Sequence, residues 1–524
     1  MAELSLAEHL EMLKKSTEQS SDFGKWVETL ALVIDTAGDE SNENVLVAAI
    51  EISEGMENKS IQADASLVLY HRSNAWASLQ HIRRTGDDVW RWEQPELVEQ
   101  IFALRGAIQH PGFVELPAPR RAQIYCNLGN SLSTAGRIVD ALVEWKNALV
   151  EQRNLGMARG NLGVGLARYG MQLYDEGHTY WFLRSAQNEL SQAITGGLGR
   201  DGSTYPEALD AFRWHSTKVE RELSCYEGPH DSGPSEYPVG KSKRERAYRT
   251  WCLGRNLFLN PLNDLGPLSI AAQDVLLLPG HRIKGAGITY RAFFNQLKQE
   301  YVYARLNLFE GTARERQHFA DRELPLESNA DFALYSIGVE QVKTSFRLAY
   351  SLLDKLAYFI NDYWRLEIPE KQVSFRKLWV EDKKGREVPV GCVRKVFEDS
   401  KNLPLRALYW LAKDIYDQDF QEVADPIAKE LDALRNHLEH KALKVVLDGL
   451  PQADRGESEM FEDHLSHLVG HDELAARAEH LLRMTRSALI YLALAMFVEE
   501  QRAYRPGDKL APVDLGLYTE DRNF

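Results

Sequence analysis

The chain has 524 residues, room for about three or four units of roughly 150 residues, which excludes a single small binding module. Hydrophobic residues make up 44% and charged residues 27%, the balance of a folded globular protein rather than a disordered chain. With 62 Lys and Arg against 77 Asp and Glu the formal charge is -15, so the molecule as a whole does not attract nucleic acid or anionic lipid, and any RNA site has to be a local basic patch.

The amino-terminal stretch is amphipathic and contains acids, with no apolar leader-like core, and no run of 18 apolar residues follows it. Four cysteines (Cys126, Cys225, Cys252, Cys392) are widely spaced without a Cys-x-x-Cys pair. Neither a disulfide framework nor a thiolate zinc site is expected; a cytoplasmic protein with no membrane partner is.

The first strong patterns are helical, at 63–80 and 97–108, the second ended by His110-Pro111-Gly112. Next, Tyr125-Cys-Asn-Leu-Gly-Asn130 recurs in part as Arg159-Gly-Asn-Leu-Gly-Val164, with Gly129 and Gly163 34 positions apart. That spacing resembles the tetratricopeptide repeat, and the first copy carries more of its pattern in Leu128, Leu132, Gly136, Ala141, Trp145 and Ala148. In the second copy the matching Ala186, Leu190 and Ala193 arrive eleven positions late. An insertion near Tyr174-Asp-Glu-Gly-His178, lengthening the loop or the first helix, accounts for the delay.

With a further helix at 205–226, residues 1–230 are expected to form a tetratricopeptide-like helical solenoid. Asn127 and Asn161 fall at equivalent repeat positions. Either they contact a protein or peptide trigger in the groove, as asparagines do in peptide-binding relatives of such repeats, or they hydrogen-bond within the stack.

Residues 225–240 are rich in Gly, Pro and Ser and read as a linker. The basic run Lys241-Ser-Lys-Arg-Glu-Arg246 with Tyr248 and Trp251 is either a nucleic-acid patch or solvated surface. Leu257-Phe-Leu-Asn-Pro-Leu-Asn-Asp-Leu265 mixes apolar anchors with turn formers, as a compact loop on a core does. Residues 231–284 are therefore assigned as linker and connector. From 285 to 505 the pattern is helical, at 290–310, 331–365, 405–417, 425–447 and 472–504, with little strand signal. Residues 373–393 are either a hairpin or an irregular insertion, and 506–524 a tail. The fold class expected is all-α, a solenoid followed by a helical bundle.

One helix carries a set of groups with chemical potential. Within 425–447, Leu431, Leu434, Leu438, Ala442 and Val445 form an apolar stripe, while His440 projects about 180° and Asn436 about 140° from Leu431. Arg435 lies at the stripe edge, from which its long side chain can still reach outward. Arginine, carboxamide and imidazole thus concentrate on a face a core does not use.

Arg435-Asn436-His437-Leu438-Glu439-His440 resembles the Arg-polar-x-x-x-His signature of the HEPN ribonuclease superfamily. Tyr248-Arg-Thr-Trp-Cys-Leu253, Leu257-Phe-Leu-Asn-Pro-Leu-Asn-Asp-Leu265 and Ser351-Leu-Leu-Asp-Lys-Leu-Ala357 resemble a bacterial branch joined to repeats. Arg105 and His110 share the spacing, but glycine follows the arginine and the pair ends at a helix stop, so that match is accidental.

The resemblance implies an HEPN-type helical bundle that dimerises, with two motifs meeting to cut RNA without metal or cofactor by 2′-hydroxyl attack. It also implies a toxin or antiviral role, regulated through the repeats. His440 is then the acid/base, Arg435 the phosphate clamp and Asn436 the orienting group. Either Glu439 supports them, or Arg435 and His440 belong to a solvated helix with salt bridges through Glu439. Asp354 either serves Arg435 or His440 or joins an ordinary ion pair beside Lys355. HEPN toxins silenced by nucleotidyl transfer carry a tyrosine two positions after the histidine; Ala442 stands there.

Two other readings remain. A non-catalytic adaptor would dimerise through the bundle and bind partners through the repeats. A metal hydrolase would need His464, His467 and His471 along one helix, although Gly470-His471-Asp472 reads as a helix start that breaks the alignment.

Overall fold

The structure is a computed structural model that describes residues 5–19, 23–59, 62–197, 204–226, 236–280, 287–313, 318–327, 333–381, 393–416, 434, 438, 442–446 and 466–503. The amino-terminal part is a series of packed helices: α1 (Leu6–Gln19), α2 (Phe23–Asp39), α3 (Glu43–Ser53), α4 (Ala63–Arg83), α5 (Pro95–Gln109), α6 (Ala118–Thr134), α7 (Ile138–Glu151), α8 (Gly156–Gly170), α9 (Glu176–Gly197) and α10 (Pro206–Leu223). Proline at the first position starts α5 and α10, where a missing N–H costs nothing. The pairs α4/α5, α6/α7 and α8/α9 pack internally, and α5/α6 and α7/α8 stack one pair on the next. This is a helical solenoid.

Glycine makes the stacking possible. A Cβ at Gly129 would sit 2.6 Å from the Trp145 ring and one at Gly165 only 2.3 Å from it, so the indole fills the gap between α6 and α8. In the second pair Gly163 meets Leu190 and the Ala186 backbone instead. The loop before α9 (171–175) is longer than the one before α7 (135–137), as expected, but most of the delay comes from α9 itself, which runs 22 residues against 14 in α7.

The region expected to be a connector is structured from 236 to 280. Helix α11 (Lys243–Gly254) starts at Ser242, whose hydroxyl accepts from the Glu245 N–H at 3.1 Å. The string 257–265 is buried almost throughout. Its Asp264 pairs with Arg486 at 2.7 Å and accepts from the Tyr169 hydroxyl at 3.2 Å, while Arg486 also donates to the carbonyls of Phe258 and Asn260. Tyr248 and Trp251 pack edge-on against Phe309, and Arg305 pairs with Asp274 at 2.7 Å. Arg244 pairs with Glu310, Arg246 donates to the Lys241 carbonyl, and Arg249 pairs with Glu245. Arg244 and Arg246 of the basic run thus make local contacts, while the run itself stays on the exposed surface.

The carboxy-terminal bundle contains α12 (Gly287–Thr312), α13 (Ile337–Tyr363), the single turn α14 (Lys395–Glu398), α15 (Leu403–Tyr416) and α16 (His471–Ala503). α16 is long and apolar enough to cross a membrane, but most of its apolar stretch is buried inside the protein; it is the bundle's central helix. Residues 380 and 393 form one antiparallel bridge, and the rest of the 373–393 insertion lies partly outside the described residues.

The helix expected over 425–447 does not run to its predicted end. Ala442–Val446 is a strand, β1, paired in parallel with β2 (Ser466–Gly470), and Leu334 N–H donates to the Val445 carbonyl at 2.7 Å. His467 therefore lies in a strand and His471 opens α16, so the single helix that a three-histidine metal site requires does not form. The tail expected at 506–524 lies outside the described residues.

Solenoid and bundle share one hydrophobic core, which runs from Leu69 in α4 to Met496 in α16; α1–α4 enclose a second, smaller one. At the junction Asp414 of α15 receives both terminal nitrogens of Arg105 at 2.8 and 2.9 Å and pairs with Arg137. Tyr491 of α16 donates to Asp140 at 2.8 Å and accepts from the Val139 N–H. Trp92, in the connection from α4 to α5, packs with Trp379, Phe397 and Tyr409 of the bundle. Gly136, at φ +93, brings its backbone against the Leu403 carbonyl, 2.6 Å from where a Cβ would be; only glycine combines that φ with that approach.

Candidate active site

The site must be built around the end of the motif segment. Leu434 and Leu438 are helical and 0% and 6% exposed, both within the shared core. These are two members of the apolar stripe read from the sequence, and one turn apart they face the same way. Arg435, Asn436, Glu439 and His440 lie outside the described residues.

What holds the segment comes mainly from α13. Arg347 donates to the Leu438 carbonyl at 2.7 Å. Because a strand begins at Ala442, that carbonyl stands at the helix end, where acceptors lack partners of their own and a cation is favoured by the helix dipole. The strand itself continues the anchoring. Leu443 and Val445 are buried, and the β1/β2 pair leads directly into α16.

Asp354, two turns after Arg347 on α13, accepts from the Phe375 N–H at 3.1 Å. Lys355 pairs with Glu300 on α12 at 2.6 Å. Asp354 thus fastens the 373–379 loop, a role that residue spacing does not reveal.

In the solenoid, Asn127 donates to Asn74 Oδ1 at 3.3 Å and Asn161 to Asn130 Oδ1 at 2.8 Å. Asn130 also accepts from the Trp145 indole at 3.0 Å. Both repeat asparagines thus bond between the first helices of successive pairs and remain half-buried. Arg105 is committed to Asp414, and the His110 ring accepts from Gly112 N–H at 3.1 Å, so the Arg-x4-His spacing there is coincidental, as its glycine predicted.

Residues 283–499 match the LA2681-like HEPN family. The carboxy-terminal bundle is a HEPN domain. The matched span begins at the approach to α12, ends in α16 and includes Arg435, Asn436 and His440; the solenoid stands outside it. No curated protein and no solved structure matches the chain. HEPN membership points in general to ribonuclease or nucleotidyl-related activity in a defence setting.

The amino-terminal helices pack as helical repeats. Among the described residues no cluster of His, Cys, Asp and Glu has the arrangement of a metal site.

Proposed function

We propose that this protein is a metal-independent endoribonuclease of the HEPN type, cytoplasmic and homodimeric, acting as a toxin or antiviral effector under control of its repeats. The observation that carries the reading is the Arg435-Asn436-x-x-x-His440 set inside the HEPN-matched span, on a segment whose core contacts are made by Leu434 and Leu438. By its sequence spacing, a helix that turns its leucines inward has no packing use for an arginine at the stripe edge or for a carboxamide and an imidazole away from it.

His440 takes the proton from a ribose 2′-hydroxyl, and the 2′-oxygen attacks the adjacent phosphorus. The bond to the 5′-oxygen breaks, and an imidazolium, from the same or the symmetry-related His440, protonates the leaving oxygen. Arg435 stabilises the extra charge on the phosphorane oxygens, with Asn436 orienting the histidine or the phosphate. The products are a 2′,3′-cyclic phosphate and a 5′-hydroxyl. Glu439 is assigned a supporting role, as is Asp354, which in this reading pairs with Arg435 or fixes His440. In this reading a protein or peptide trigger docks on the repeat groove, where Asn127 and Asn161 keep part of their surface exposed.

Induced expression of the wild type and of His440→Ala tests the reading. The wild type should arrest growth and fragment RNA with cyclic-phosphate ends, and His440→Ala should do neither. Equal toxicity with intact RNA in both strains would replace it with the adaptor reading.

A further inference from the structure

The junction between solenoid and HEPN domain encloses a cleft of about 410 Å³, walled by α5, α6 and α7 on one side and by α15 and α16 on the other. That volume lies in the range of small-molecule sites and is far too small for a folded partner. Most charges on its walls are matched. Asp414 holds Arg105 and Arg137, Asp140 holds Arg137 and the Tyr491 hydroxyl, Asp264 holds Arg486, and Arg483 at the rim pairs with Glu479.

Glu144 is the exception. Its side chain accepts one hydrogen bond, from the Asn147 amide at 3.1 Å, and among the described residues it has no ion-pair partner. Burial in the cleft pushes its carboxyl up to about 7, with the Asn147 hydrogen bond and the more distant Arg105 only partly offsetting the loss of water. An unmatched carboxyl on the wall of a shaped cavity lacks a counter-charge that the protein supplies everywhere else around it.

We propose that this cleft binds a small organic cation, an amine or guanidine, whose N–H groups pair with Glu144. Asn147 holds the carboxylate in place beneath it, and Tyr125 of α6 contributes an aromatic wall. Because the walls come from both domains, the bound cation favours the docked arrangement of repeats and HEPN domain. Binding does not depend on the ribonuclease reading, since it is argued from Glu144, Asn147 and Tyr125 alone.

Titration calorimetry and thermal unfolding of the full chain test this with spermidine and agmatine as probes and potassium chloride at matched ionic strength as control. Saturable 1:1 binding of at least one probe and a raised melting temperature are expected for the wild type. Glu144→Gln should weaken binding at least tenfold without lowering the melting temperature of the free protein. Val143→Trp, which narrows the cleft from its exposed rim, should weaken it as well, so a change in Glu144 alone does not carry the result. Equal affinity for wild type and Glu144→Gln, an effect reproduced by potassium chloride, or no saturable binding of either probe at millimolar concentration overturns the proposal.

Discussion

His71 on α4 is 6% exposed, and among the described residues its Nδ1 has no hydrogen-bond partner. Burial pulls the imidazole down to about 4, with nearby Arg120 adding to the effect, so the folded protein refuses a proton that the unfolded chain accepts near pH 6.5. The sign follows directly: above pH 6.5 the group is indifferent, and as the pH falls toward 4 the unfolded state gains protons and stability drops. His71→Phe should flatten the pH dependence of unfolding in that window and leave the protein about 2–3 kcal/mol better off at pH 4 relative to the wild type, measured by denaturant titration at several pH values. At this scale the sequence discloses identities but not obligations. The glycine after Arg105 told against a site there, yet nothing in the string announced that Arg105 and Arg137 would close on Asp414, because that aspartate lies 309 positions beyond Arg105.

Helices were legible because they repeat their pattern every turn. The boundaries 63–80 and 97–108 anticipate α4 and α5 within a few residues at each end, and the 34-residue spacing of Gly129 and Gly163 marks two first helices of successive pairs. The strand β1 was not legible. Five residues are too few to separate period 2 from period 3.6, Val445 is inward in either case, and the partner Ser466–Gly470 is distant in sequence. The close packing within an element pair makes its own prediction. Gly129→Ala drives a methyl group into the Trp145 indole and should cost about 1–3 kcal/mol, read as a lowered unfolding midpoint. Trp145→Leu should cancel part of that cost in the double variant, since the two changes share one contact.

Across the whole molecule, a single core joins repeats and HEPN domain, so calorimetry should find the two unfolding in one transition. Asp414→Asn leaves the guanidinium groups of Arg105 and Arg137 facing each other without their shared carboxylate. The variant should lose about 3–5 kcal/mol, the cost of breaking a buried ion pair from one side, and its calorimetric trace should separate into two peaks. The overall plan, solenoid then bundle, was readable from periodicity. The docking was not, since Gly136 reads as a turn residue of its repeat and only the fold shows the Leu403 carbonyl pressed against it.

The place of α16 in the chain also bears on the order of assembly. Tyr491 and Arg486, which reach the repeats and residues 257–265, leave the ribosome after nearly everything they bind. The solenoid is thus born with one flank uncovered, and residues 435–440 are translated before the helix that completes their domain. A nascent HEPN segment therefore remains unfinished, and its apolar seam open to chaperones, until the last long helix emerges and seals it.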